Sequence, residues 1–145
     1  MEQSAQQRAA SLIHILNTKG QGDYIGESVS QLAHSLQAAR LAKAHNADDE
    51  TVIAALLHDI GQFLPAEDVT SLAHEVQNME TPDHVSSDNV GRVGHERIGE
   101  DHLRRLGFSK KVAALVGSHV EAKRYLCAVE PGYHDKLSEA SKMTL

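Results

Sequence analysis

Four histidines and one aspartate of this 145-residue chain fall inside or beside apolar helical runs, where ionisable groups are uncommon. They are His34 in QLAHSLQAA, His58 and Asp59 in ALLHDIG, His95 in RVGHERIGE and His119 in LVGSHVEAK. Any one of them alone is most simply a hydrogen-bonded core or surface histidine. Together they suit metal chemistry. Neutral imidazole is a good ligand for iron, zinc or manganese, and a carboxylate can bridge two cations while cancelling part of their charge. His58 and Asp59 are about 100° apart on an ideal helix, yet at a helix end both can turn towards one centre. Lys123 follows His119 by one turn on the same face, within reach of an anion bound there.

Helices must position these groups. Residues 4–18 carry apolar side chains at helical spacing, with Ser4 as cap and Lys19-Gly20 as stop. GQGDYIGE follows as a Gly-rich loop carrying Tyr24 and Glu27. A second helix is predicted from about Ser28 to His45, with Val29, Leu32, Ala33, Leu36, Ala39 and Ala42 or Ala44 as its apolar stripe. Asp48 or Asp49 caps the next helix, TVIAALLHD, which Gly61 and Pro65 close. Residues 65–94 turn polar and read as an insertion, with a short helix around AEDVTSLAHEVQN. Helices resume at HERIGEDHLRRLG, at SKKVAALVGSHVEAKRYL behind Ser109, and at HDKLSEASKMTL after Pro131-Gly132. The expectation is one all-α domain over residues 1–145, a bundle of five to seven helices.

Composition narrows the function classes. A net charge of −6 with dispersed basic residues argues against nucleic acid as a partner. Cys127 is the only cysteine, which excludes an internal disulfide framework and fits a reducing, cytoplasmic setting. No apolar run approaches the roughly 18 residues of a membrane span. His14, His45, His74, His84, His102 and His134 are assigned to the surface or to local hydrogen bonds, and Cys127 to a small buried position.

The order H...HD...H...H resembles the HD-domain superfamily of metal-dependent phosphohydrolases and oxygenases. More narrowly, DYIGE, QLAHSLQ, AALLHDIG, GHERIGEDHLRRLGF, HVEAKRYL and LSEASKMTL resemble the mixed-valence di-iron oxygenases of the PhnZ/TmpB type, which cleave the carbon–phosphorus bond of 1-hydroxyphosphonates. The resemblance implies two iron ions, Fe(II)/Fe(III), with dioxygen as co-substrate and a small organophosphonate as substrate. His34, His58 and Asp59 would ligate one iron; Asp59 would bridge to a second, held by His95 and His119. Lys123, Ser141 and Thr144 would bind the phosphonate. Tyr24 and Glu27 would form a mobile lid pair, the tyrosine at the open iron position and the glutamate facing the substrate nitrogen. The PhnZ branch carries a histidine where this chain has Gln62, which makes Gln62 a substrate-discriminating position.

That family also has a sixth ligand, an aspartate on a later helix, with a phosphonate-binding arginine before it. The sequence ends before that helix, so the expectation is an HD domain lacking its C-terminal helices. The expected substrate is 1-hydroxy-2-(trimethylammonio)ethylphosphonate or 2-amino-1-hydroxyethylphosphonate, giving glycine betaine or glycine plus phosphate. Two other readings stand beside it: an HD phosphohydrolase using a bridging hydroxide, and a non-catalytic sensor or interaction domain on the same scaffold.

Overall fold

The computed structural model describes residues 2–23, 28–65, 67–69, 94–138, 141–142 and 145. Among them lie five α-helices, two short 3₁₀ turns and no strand beyond one isolated bridge between Asp23 and Ser30. The class is all-α, as the periodicity predicts. Among the described residues, no helix is long and apolar enough to cross a membrane.

Helix α1 (Ala5–Lys19) starts at a reciprocal cap: Ser4 Oγ accepts from the Gln7 amide and Gln7 Oε1 from the Ser4 amide. Helix α2 (Gln31–Ala44) begins three residues later than its apolar pattern predicts. Ser30 has extended backbone and pairs with Asp23, and its hydroxyl caps the helix by accepting from the Ala33 amide. Helix α3 (Asp49–Leu57) is capped by Asp48, which accepts from the Thr51 amide, and carries Asp49 and Glu50 in its first turn, where the helix dipole favours negative charge. It ends before His58 and Asp59, and a 3₁₀ turn follows at Ile60–Gln62. Helix α4 (His95–Arg105) and helix α5 (Lys110–Val129) form the second helical pair, with Ser109 capping α5 through the Val112 amide.

The core joins α1, α3, α4 and α5 through Leu12, Leu16, Leu57, Ile60, Ile98, Leu103, Val112 and Val116. Leu103 and Val116 are fully buried, and truncating one such side chain to alanine costs about 2–5 kcal/mol.

The register between α3 and α5 matters most for the site. Their N-termini are tied together: Ser109 donates to Glu50 Oε1 at 2.6 Å, and the Lys111 ammonium pairs with Asp48 and lies 3.8 Å from Glu50. His58 and His119 each stand nine residues beyond the first residue of their helix, Asp49 and Lys110. Helices that start level and rise equally per residue bring both imidazoles to one height. Their ring centroids are 5.1 Å apart.

Lys111, then the side chain and the amide of Thr51, hold the Asp48 carboxyl well below its ordinary value, and Asp48 in turn raises Lys111. A depressed carboxylate contributes stability that is complete above its unfolded value of 3.8 and is lost as pH falls further. Asp48→Asn is therefore expected to flatten the acid limb of stability below about pH 4, read as melting temperature against pH. An unchanged limb would show that the pair contributes nothing.

Three expectations need correction. The predicted stripe of α2 holds only in part: Leu32 packs against the core and Ala33, Ala39 and Ala42 are half-buried, but the buried positions are Gln31 and Ser35, and Leu36 is 53% exposed. Leu36 lies about 200° around the helix from His34, so turning His34 inward turns Leu36 outward. The segment after Pro131 is not one helix. It makes a 3₁₀ turn at His134–Lys136, extends at Leu137, and turns again where Ser138 accepts from the Ser141 amide. Cys127 is half-buried rather than buried. Of the polar stretch 65–94, residues 67–69 are helical and Val69 joins the core; the remainder of the short helix predicted there, with His74 and His84, lies outside the described residues.

Candidate metal centre

His34 comes from α2, His58 from the C-cap of α3, Asp59 from the link to the 3₁₀ turn, His95 from the first position of α4 and His119 from the middle of α5. The structure brings all five together. Asp59 Oδ2 lies 3.2 Å from His34 Nε2 and 3.1 Å from His58 Nε2. Asp59 Oδ1 lies 3.1 Å from His95 Nε2 and 3.3 Å from His119 Nε2. Within each pair the Nε2 atoms are 3.0 Å apart for His34 and His58 and 3.1 Å apart for His95 and His119. The result is two triangles of donors, one on each oxygen of a single carboxylate.

Backbone geometry explains how adjacent residues reach one centre. His58 keeps helical angles, while Asp59 moves to φ −100° and ψ 11°, off the helix. The 3₁₀ turn then runs against α4: a Cβ on Gly61 would stand 1.9 Å from the His95 carbonyl oxygen and 2.9 Å from the Gly99 amide nitrogen. Only glycine permits that approach, and the approach carries His95 to Asp59. Gly94, at φ 72°, supplies the left-handed turn from which α4 starts at His95.

The rings are oriented from behind. His58 Nδ1 meets the Ala55 carbonyl and His119 Nδ1 the Val116 carbonyl, each at 2.7 Å. A carbonyl can only accept, so both Nδ1 atoms are donors and each ring turns its Nε2 towards Asp59. His95 Nδ1 faces Glu96 Oε2 at 3.6 Å. Ligating histidines characteristically engage their second nitrogen in this way. Burial opposes the charge on both sides of the cluster. It disfavours protonation of His58 most strongly, but the Asp59 carboxylate outweighs it and the histidine is raised, with the Lys123 ammonium acting against the shift. For Asp59, burial raises the carboxyl, and contacts with His119, His34, His58 and His95 together hold it well below its ordinary value.

These donors fit a pair of cations. Cis ligands of a six-coordinate ion with bonds of about 2.1 Å are about 3.0 Å apart, and tetrahedral ligands at the same bond length about 3.4 Å. The measured separations of 3.0 to 3.3 Å match those edges. Converging lone pairs repel one another unless a cation lies between them.

A cavity of about 230 Å³ opens on the cluster, lined by His34, His58, Asp59 and His119 and by Lys123, Tyr133, Lys136, Leu137, Ser138 and Ser141. Lys123 and Ser141, both predicted to meet the substrate, face this space. Gln62 sits in the 3₁₀ turn next to Asp59 and is not among the lining residues. Tyr24, Glu27 and Thr144 lie outside the described residues. Sequence reasoning missed Tyr133, Lys136 and Ser138; a spacing of three from Lys136 through Tyr133, read with the Pro131-Gly132 turn, was the available signal. A second hollow, of about 270 Å³, reaches His58 and His119 between Ala38, Thr51, Ala54, Ala55 and Leu115.

Comparison with known proteins gives the relatives. Residues 32–142 match the HD domain family. Over 136 residues, 94% of its length, the chain is 42% identical to a hydroxymethylphosphonate dioxygenase of Gimesia maris, of which it covers 60%. Over 127 residues, 88% of its length, it is 35% identical to the glycine-betaine-forming 1-hydroxy-2-(trimethylamino)ethylphosphonate dioxygenase of Leisingera caerulea, of which it covers 57%. An uncharacterized protein of Acanthamoeba polyphaga mimivirus is 39% identical over 139 residues, 96% of the chain and 57% of that relative. The chain thus spans 57–60% of the length of these curated relatives. With the match covering most of its residues and the histidine–aspartate cluster in place, the chain belongs to the HD domain family.

Proposed function

We propose that this chain is the metal- and substrate-holding part of a di-iron oxygenase that cleaves the C–P bond of a 1-hydroxyphosphonate. The observation that carries the reading is the pair of donor triangles on Asp59 beside a cavity lined by Lys123. That two relatives are named phosphonate dioxygenases favours oxygenation over hydrolysis. Residues 1–145 form one HD domain in this reading, with 65–94 as its polar insertion, in a cytoplasmic protein.

His34, His58 and Asp59 would hold one iron, and Asp59, His95 and His119 the other, in a mixed-valence Fe(II)/Fe(III) pair. When bound, that pair supplies dioxygen activation and the one-electron chemistry needed at the carbon bearing the hydroxyl. The chain's own residues do the rest. Lys123 and the Ser141 hydroxyl hold the phosphonate, with Thr144 beside them, so that its carbon faces the cluster. Tyr24 and Glu27 close over the site, and Glu27 faces a substrate ammonium where one is present. Gln62 tunes substrate choice through its position next to Asp59. One dioxygen is consumed per bond broken: the carbon leaves as a carboxylic acid and the phosphorus as phosphate.

The named relatives suggest hydroxymethylphosphonate or 1-hydroxy-2-(trimethylammonio)ethylphosphonate as substrate, and the sequence resemblance adds 2-amino-1-hydroxyethylphosphonate. The test is phosphate release from all three by protein reconstituted anaerobically with iron, with and without oxygen. Oxygen-dependent release from at least one is expected. Equal release without oxygen, supported by redox-inert divalent metals, would replace this reading with a phosphohydrolase. No release under either condition would leave a non-catalytic domain.

A further inference from the structure

The geometry points to Lys136 as a second cationic group for the substrate's phosphonate, acting with Lys123 to make the cavity selective for dianions over monoanions. The inference rests on the substrate class proposed above and adds a residue to it.

Both lysines line the cavity that opens on Asp59, from different elements: Lys123 from α5, one turn beyond His119, and Lys136 from the 3₁₀ turn after it. Neither makes an ion pair among the described residues. Among the described residues, the sequence neighbour of Lys136, Asp135, is directed elsewhere. Asp135 is turned to solvent and meets His134 Nδ1 at 3.9 Å, while the Glu130 amide and carbonyl serve the turn itself by bonding Leu126 and Tyr133. The turn holds Lys136 in place through its own amide, which donates to the Tyr133 carbonyl at 3.2 Å, and through the Leu137 amide, which donates to the His134 carbonyl at 3.1 Å.

Charge gives the ligand class. Two ammonium groups with no ion pair among the described residues, at the edge of one cavity and above a centre built to hold cations, leave an excess of positive charge that a phosphonate dianion offsets and a monoanion only half offsets. Lys136 is exposed and carries a flexible four-carbon arm. It can therefore meet an anion at the mouth, while Lys123, deeper and half-buried, meets it near the metals. Tyr133 and Ser138, which flank it along the same wall, add neutral hydrogen-bonding groups to this side.

The test is binding by the metal-loaded chain of methylphosphonate, which has no hydroxyl to react, and of methanesulfonate, a monoanion of the same shape. Isothermal titration of wild type, Lys136→Gln and Lys136→Arg gives the constants. Lys136→Gln is expected to weaken methylphosphonate by about tenfold and methanesulfonate much less, and Lys136→Arg to stay within about twofold of wild type. In turnover, Lys136→Gln should raise KM with kcat nearly unchanged, the mark of lost uniform binding. Unchanged methylphosphonate affinity in Lys136→Gln, equal losses for the two anions, or no methylphosphonate binding by wild type would each overturn the inference. The binding measurement needs no oxygen. Dianion selectivity lost in Lys136→Gln without oxygen-dependent turnover in wild type would retain the lysine pair and discard the oxygenase. Oxygen-dependent turnover with a silent Lys136→Gln would do the reverse.

Discussion

On the proposed di-iron reading, Asp59→Asn is expected to reduce the chain from two bound metals to at most one and to lower turnover on the order of a thousandfold. Each Asp59 oxygen stands within 3.3 Å of two imidazole nitrogens, and each pair belongs to a different half of the site. Asparagine keeps the volume but offers a carbonyl oxygen to one pair and an N–H donor to the other, which no cation accepts. It also removes the negative charge that offsets two buried cations. Asp59→Ala takes away both oxygens, and the coupled signal of a half-reduced iron pair in electron paramagnetic resonance should vanish with it. Metal content by mass spectrometry and the resonance spectrum read both effects. Two metals and an intact coupled signal in either variant would refute the bridging role.

The second large effect is expected at a residue with no side chain. Gly61→Ala places a methyl group 1.9 Å from the His95 carbonyl oxygen, far inside contact distance, against backbone that cannot rotate away. Overpacking of this kind costs about 3 kcal/mol, or roughly 10 °C in melting temperature for a chain of this size. Relief must come from moving α4 away from the 3₁₀ turn, and His95 is its first residue. The half-site of His95 and His119 should therefore lose metal affinity well before that of His34 and His58. Calorimetry together with metal titration checks both parts. Wild-type melting with two metals bound would show that the turn and α4 separate without consequence.

The five cluster residues were legible because ionisable groups at the ends of apolar helical runs conflict with burial unless a partner or a cation resolves the conflict, and their order in the chain resembles one family. The caps at Ser4, Asp48 and Ser109 were legible for a local reason, since each side chain acts on amides two or three residues away. What could not be read depended on tertiary placement. Leu36 completes an apolar stripe on paper, but α2 is rotated by the need to aim His34, so Ser35 packs inward instead. Gln31 Oε1 and Ser35 Oγ are buried there with no hydrogen-bond partner among the described residues. The final segment keeps apolar residues at Leu137 and Leu145, which imitates a helix, whereas the Ser138 hydroxyl breaks it by capping a new turn. Lys136 had only the weak signature of its spacing from Tyr133 after the Pro131-Gly132 turn, because a lysine in a polar turn looks solvated until a cavity wall is seen beside it.

The paired arrangement of the donors also bears on how the site assembles. His34 and His58 are separated by 24 residues on the consecutive helices α2 and α3, and His95 and His119 by the same 24 on α4 and α5. Each helical hairpin thus carries a complete nitrogen pair whose closing needs only short-range chain folding, which is fast. The ties between α3 and α5 at Ser109–Glu50 and Lys111–Asp48, with the seam at Asp59 and Gly61 against His95, join the hairpins into one centre. A metal arriving there would take ligands from both hairpins, so the ions would act as a late clasp on folding, and their removal should loosen the seam while leaving both hairpins intact.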